Sequence, residues 1–347
     1  MIWLAALLVA AAPVPCEAGV RLNYICGVER PEDLVAIPGT RFIITSGFAP
    51  GAGLTLVDTD THRATPWFTG APDQIDPDRA TYPSCPGPLD PTLFNARGLA
   101  LRRTGEKRWS LHVVNHGGRE SIEIFDVVLD DSTPRLVWRG CRVMPAGQVG
   151  NAVAAFADGT LLVTVLTRPG TTIGDFMLGK RTGAVWQWRP GDDRFREIAG
   201  TELPGNNGLE VDPDDRHFYV VAFGWHAVVV FDRQRAKSLR TIVMPDFMPD
   251  NVHWTDGRLV AAGMRLDEPA CGGRRKVVNG EADKMLCHRG YVAGVIDPVK
   301  GTVSTLAYGE PEAGFNGVST AIVADGALWL GSYRADRLAW RPLPGRE

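Results

Sequence analysis

Apolar residues along this chain come in short bursts separated by Asp, Gly and Pro. Beyond the N-terminal segment there is no long apolar stripe at i, i+3, i+4, i+7 spacing with capping residues, so helix is predicted to be scarce. Bursts bounded by turn residues predict strands. Six stretches share one order of parts: a polar residue, a short apolar strand, a turn rich in Asp, Gly and Pro, and a second apolar strand ending in small residues. They are EDLVAIPGTRFIITSG from Glu32, ARGLALRRTGEKRWSLHVVNHG from Ala96, NAVAAFADGTLLVTVL from Asn151, NNGLEVDPDDRHFYVVAFG from Asn206, DNVHWTDGRLVAAGM from Asp250 and STAIVADGALWLGSY from Ser319. A third strand follows several of them, as in ESIEIFDVVLD from Glu120 and AVVVFDR from Ala227. Repeats of three or four short strands are the mark of propeller blades. The pattern therefore predicts an all-β fold, a single six-bladed β-propeller with a central metal-binding channel. A pair of β-sandwiches would also have short, turn-punctuated strands, but gives no reason for the repeated order.

Composition adjusts this picture. The 347 residues are 44% hydrophobic and 22% charged, as expected of a chain with a substantial core, and Gly 39 and Pro 25 supply many turns. With 37 Lys+Arg against 40 Asp+Glu the formal charge is −3, and no basic block is present. That excludes electrostatic nucleic-acid binding and favours a small-molecule partner. The apolar run Ile2–Val14, followed by small residues to Ala18, reads as a signal peptide over 1–18, with an uncleaved anchor as the alternative. No other segment is long and apolar enough to span a bilayer, so an exported protein, periplasmic or secreted, is expected, and its oligomeric state is left open. The propeller then covers 19–347, with loop insertions at about 72–91 and 265–289. Cleavage after Ala18 leaves five of the six cysteines. Cys271 and Cys287 flank a polar stretch and are predicted to staple a loop. Among Cys26, Cys85 and Cys141 one pair is expected with one thiol left over, in a pairing that spacing does not decide.

The first strand of each propeller blade lines the central channel, so residues at the start of the six copies form a ring. These are Glu32-Asp33, Arg97, Asn151, Asn207, Asp250-Asn251 and Ser319. Taken singly, each has an ordinary structural reading: Asn207-Gly208 is a common turn dipeptide, and Asp250-Asn251 could cap a turn. At one phase of a repeat they make an oxygen-rich cage suited to a hard cation such as Ca²⁺, with carboxylates to balance its charge and amides to add oxygens. Loops on the same face offer a pocket of Arg97, Phe48, Trp225, His226, Ser319 and Tyr333, with Arg168 and Arg334 at its rim.

Several motifs resemble those of the paraoxonase family of calcium-dependent lactonases and arylesterases, and more widely of the regucalcin and gluconolactonase superfamily. They are PEDLVAIP with ITSG, FNARGLAL, LHVVNHGGRESIEIFDV, GNAVAAFADG, NNGLEVDPD, MPDNVHW and GVSTAIVADGALWLGSY, spread over most of the chain. The resemblance implies that Glu32, Asn151, Asn207, Asp250 and Asn251 hold one catalytic calcium. It departs from the family at three places. Ala152 stands where the family's second, structural calcium has an Asp beside the equivalent of Asp33. Arg97 replaces one member of a histidine dyad whose other member matches His116. The family's blade-closing disulfide lacks its C-terminal cysteine. The expected activity is hydrolysis of lactones or aryl and activated esters. The ion polarises the carbonyl, and His116 or a cage carboxylate, Glu32 or Asp250, takes the proton of the attacking water. A G-x-S-x-G nucleophile elbow in a strand-to-helix setting is missing. The competing expectation is a non-catalytic, calcium-stabilised propeller that binds a small ligand or a partner protein.

Overall fold

A computed structural model of the chain describes residues 16–130 and 132–344; most of the expected signal segment lies outside the described residues. The chain is an all-β, six-bladed propeller, each blade a four-stranded antiparallel sheet. The innermost strands are Leu34–Ala36, Ala96–Gly105, Gly150–Ala155, Asn206–Val211, Phe247–Thr255 and Val318–Ala324. Inner strands are buried on both faces, whereas an outermost strand such as Ser238–Val243 buries little beyond Ile242. The six repeats seen in the sequence are thus the first two strands of the six blades, in order.

Turn chemistry sets the strand pairing. In Asp256-Gly257 and Asp325-Gly326 both residues have positive φ (48° and 69°, 47° and 69°). That is the type I′ geometry whose twist matches a right-twisted hairpin. Apolar side chains fill the wedges between neighbouring blades. Phe68, Phe94, Phe125 and Trp138 pack between the first and second blades, and Phe218 stacks on Phe231 at 5.0 Å in the cluster joining the third and fourth. Each such side chain contributes roughly 1.5–3 kcal/mol of burial.

The ring is closed by the N-terminus. Asn23–Cys26 forms the outer strand of the sixth blade against Arg337–Trp340. The Glu312 carboxylate accepts the Val20 and Arg21 amides at 3.1 and 2.9 Å and the Tyr24 hydroxyl at 3.2 Å.

Three disulfides are present: Cys16–Cys26, Cys85–Cys141 and Cys271–Cys287. The last is the expected loop staple. Cys16 corrects the expectation of a leftover thiol. Its Cα lies 5.6 Å from that of Cys26, within bridging reach, and no free cysteine remains among the described residues. Three bridges fit an oxidising compartment. No helix of the described residues is long and apolar enough to cross a membrane.

The segment 72–91 runs along the outer strand of the second blade, where Asp76 and Asp78 donate their amides to Trp138 and Arg139 at 3.1 and 2.7 Å and Cys85–Cys141 pins it. The segment 265–289 leaves the fifth blade as two small hairpins, Asp267–Glu268 with Gly273–Arg274 and Val277–Val278 with Glu281–Ala282. The second hairpin meets the short helix Ile173–Met177, which a Thr172–Asp175 capping box starts. The approach is so close that a Cβ at Gly174 would lie 1.9 Å from the Gly280 carbonyl oxygen. Loops of the third and fifth blades therefore touch across the channel mouth.

Candidate metal centre

Most of the ring residues sit at a local irregularity of an innermost strand. The pairing register shifts between Ala96 and Leu99, Gly150 and Val153, Asn206 and Leu209, Pro249 and Asn251, and Val318 and Thr320. Arg97, Asn151, Asn207, Asp250 and Ser319 fall inside these bulges, and Glu32 lies just before the first strand. Bulges re-aim side chains that a regular pleat would send elsewhere. The glycines after Arg97 and Asn207 serve the same end. A Cβ at Gly98 would meet the Asn151 carbonyl at 2.6 Å, and one at Gly208 the Asp250 carbonyl at 2.5 Å. Asn207-Gly208 is therefore a strand segment that lets the next blade approach, not a turn.

Side-chain contacts link four of the ring residues in two pairs. Asn251 Nδ2 donates to Glu32 Oε1 at 2.9 Å, and Asn151 Nδ2 to Asn207 Oδ1 at 2.5 Å. Glu32 Oε2 is buried and has no hydrogen-bond partner. Burial, then the charges of Asp33 and Asp250, push the Glu32 carboxyl up to about 8, against the Asn251 bond and Arg97. Burial also pushes Asp250 up to about 7, opposed by a hydrogen bond from Asn207 and reinforced by the Asp33 charge. Two buried carboxyls thus stand close together, with Arg97 the nearby positive charge that acts on Glu32. Among the described residues no group of three or more His, Cys, Asp or Glu side chains converges as a metal cluster. The donors here are two carboxylates and three amides, the all-oxygen set of a hard cation and not of zinc. Ser319 is fully buried, and its hydroxyl donates to the Glu32 carbonyl at 2.6 Å. It holds Glu32 in place and does not line the pocket.

Beneath the cage, Asp33 is fully engaged. It accepts the amides of Leu34 and Leu99 at 2.9 and 2.8 Å, donates its own amide to Ser46 Oγ at 2.9 Å, and pairs with His253 Nε2 at 2.6 Å. His253 Nδ1 lies 3.6 Å from Glu210. Burial alone would lower the His253 pKa, but Asp33 and then Glu210 raise it to about 10, so the ring is an imidazolium at neutral pH. Sequence reasoning passed over His253. Its signal was available, since it lies two residues after Asn251 on one strand and so on the same face.

Above the cage, the Arg97 guanidinium stacks 3.4 Å from the centroid of Phe48, whose ring meets Tyr333 edge-on at 5.9 Å. His116 Nδ1 lies 2.7 Å from Glu120 Oε2, so a carboxylate partners this histidine where the resemblance offered a second imidazole. Phe176, Phe223, Met248, Met264 and Leu266 form an apolar cluster with Tyr333 against it. Trp225 and His226 stand on the rim, Trp225 under Arg181 at 5.8 Å, while burial and then the Arg274 charge lower the His226 pKa. Arg168 is committed to Glu197. A cavity of about 1610 Å³ lined by Leu34, Glu210 and His253 among others touches neither Glu32 nor Arg97.

The chain is similar in fold to luciferin-regenerating enzyme. A solved structure of that protein aligns with a TM-score of 0.52 and 11% identity over 94% of this chain and 93% of that one. At that identity the likeness concerns the propeller alone. No protein-family model and no curated protein sequence matches the chain.

Proposed function

We propose that this chain is a calcium-dependent hydrolase of lactones or aryl and activated esters, with Glu32, Asn151, Asn207, Asp250 and Asn251 holding a single ion. The observation that carries the reading is the orphaned, buried Oε2 of Glu32, set beside Asp250 among three amides. A buried carboxylate oxygen without a partner costs free energy unless a cation meets it. Calcium bound there supplies Lewis-acid polarisation of an ester carbonyl and charge to stabilise the oxyanion.

The chain's own groups do the rest. Glu120 fixes the His116 ring through Nδ1 and leaves Nε2 to take a proton from water. Ser319 and Asn251 hold Glu32 in position from behind and beside. Phe48, Tyr333 and the apolar cluster that includes Met248 and Met264 would give an ester substrate a partly apolar wall. Asp33 does not serve a second ion in this reading, because His253 already provides its counter-charge.

The test is calcium binding by calorimetry, together with hydrolysis of phenyl acetate and a panel of γ- and δ-lactones with and without chelator. Asp250→Asn should abolish calcium binding and at least a hundredfold of the calcium-dependent rate, while His116→Gln keeps calcium and loses rate. Calcium binding without turnover on that panel would leave a binding propeller in place of an enzyme, and unchanged calcium affinity in Asp250→Asn would remove the cage.

A further inference from the structure

Glu32 Oε2 has a counterpart of opposite sign at the same mouth. Arg97 Nε and Nη1 are sealed from solvent and make no hydrogen bond, and Arg97 forms no ion pair among the described residues. Arg30 adds a second positive charge that acts on Arg97, while other arginines of the surrounding loops are engaged. Arg289 donates to the Leu266 and Gly273 carbonyls, Arg334 to those of Lys284 and Met285, Arg275 to Asp283, and Arg168 pairs with Glu197.

Neither carboxylate that acts on Arg97 makes a hydrogen bond to it, although both stabilise its charge from nearby. Glu120 bonds to His116, and Glu32 belongs to the cage, which two positive charges would neutralise. Burial is the main influence on Arg97 and lowers its pKa, with the charges of Glu32 and Glu120 acting the other way. A guanidinium remains charged through such a shift. Its guanidinium carbon lies 3.4 Å from the Phe48 ring centroid, a cation–π contact that restrains the group while two of its nitrogens stay without a hydrogen-bond partner.

We infer that Arg97 is a specificity-determining residue which binds a carboxylate on the substrate, separate from the ester bond that is cut, so that the natural substrate is an anionic lactone or ester. An under-solvated, restrained guanidinium gives a planar monoanion a charge-assisted bond at little ordering cost. With the cage charge balanced, the mouth carries the unmatched positive charge of Arg97. A phosphate dianion is the poorer fit, because Glu120 and the cage oxygens stand close by. The inference rests on the hydrolase reading for the identity of the scissile bond, but its binding step is measured without turnover.

The experiment titrates calcium-loaded protein, by calorimetry, with tetrahydrofuran-2-carboxylate, its neutral carboxamide and methyl phosphate. The carboxylate should bind about 10- to 100-fold more tightly than the carboxamide, the worth of a hydrogen bond to a charged group, and more tightly than methyl phosphate. Arg97→Met should erase the preference, and Arg97→Lys should keep part of it, with thermal melts showing both variants folded. In parallel, the kcat/KM ratio of γ-butyrolactone-γ-carboxylate to γ-butyrolactone should collapse in Arg97→Met, mainly through KM.

Equal binding of carboxylate and carboxamide to the unaltered protein would overturn the inference. So would a preference for methyl phosphate, or a preference that survives in Arg97→Met and therefore belongs to the ion. A change in calcium affinity with no change in ligand preference would recast Arg97 as a charge balance for the cage. Arg97-dependent carboxylate binding in a protein that hydrolyses no lactone would sink the hydrolase reading and leave Arg97 as the carboxylate-binding residue of a non-hydrolytic site. Turnover of neutral lactones with no carboxylate preference would do the reverse.

Discussion

Glu32 and Asp33 are consecutive carboxylates, both buried, and they belong to two different kinds of site. Asp33 has a backbone amide or an imidazolium for each oxygen, and its own amide is tied to Ser46. Glu32 has one amide partner and one bare oxygen. The floor of the channel is a closed structural ion pair, while the cage above it is an open one. Burial alone would not separate the two, since both residues are deeply buried. Whether the charge is answered from within the chain does.

The largest expected effect breaks the floor. His253→Leu leaves Asp33 buried without its cation and should cost about 3–5 kcal/mol in chemical denaturation. A loss below about 1 kcal/mol would mean the pair is not what holds the floor. A second, intermediate effect sharpens the contrast through pH. Burial and neighbouring carboxylates push Glu32 up to about 8 and Asp250 up to about 7, above the ordinary carboxylate range. A carboxyl raised in the folded state favours folding below its unfolded pKa, and that advantage is lost as pH rises through the folded value. Chelated protein should therefore melt at progressively lower temperature from about pH 5 to pH 8, by on the order of 1 kcal/mol or more. Saturating calcium should flatten that slope, and Glu32→Gln should reduce it. An identical pH profile with and without calcium would place the ion elsewhere. The smallest effect is that of Ser46→Ala, which removes one acceptor from the Asp33 amide and should cost about 1 kcal/mol, leaving calcium affinity unchanged.

The contrast also marks what was legible in the chain. The blade order and the ring positions could be read because each blade is a local unit, and the first residue of its inner strand recurs at one phase. Glu32, Asn151, Asn207, Asp250 and Asn251 all stand at or beside that phase. Ser46, Glu120 and His253 could not be read that way, because their roles come from contacts that no repeat encodes. Glu120 answers His116 within a loop, and His253 reaches Asp33 across the ring, 220 residues away in sequence. Ser319 shared the phase but not the role, since its short side chain turns back to a backbone carbonyl. Cys16 was misread because small residues before Ala18 look like a cleavage signal whether or not one of them is bridged. If a signal peptide is removed and Cys16–Cys26 is kept, the cut lies before residue 16, and the mass of the mature chain measures that directly.

Closure of the ring by Asn23–Cys26 on Arg337–Trp340 bears on how the protein comes to be folded. The first strand of the chain must wait for the last hairpin before the circle is complete, which makes this a topology of high contact order and slow assembly. The five candidate ligands all precede residue 252, yet Ser319 clamps Glu32 from the sixth blade. A chain emerging from the ribosome, or from a translocation pore, would thus carry every ligand long before it had a cage. On the proposed reading, affinity for calcium would appear only at the final docking step, as a late lock on a finished ring.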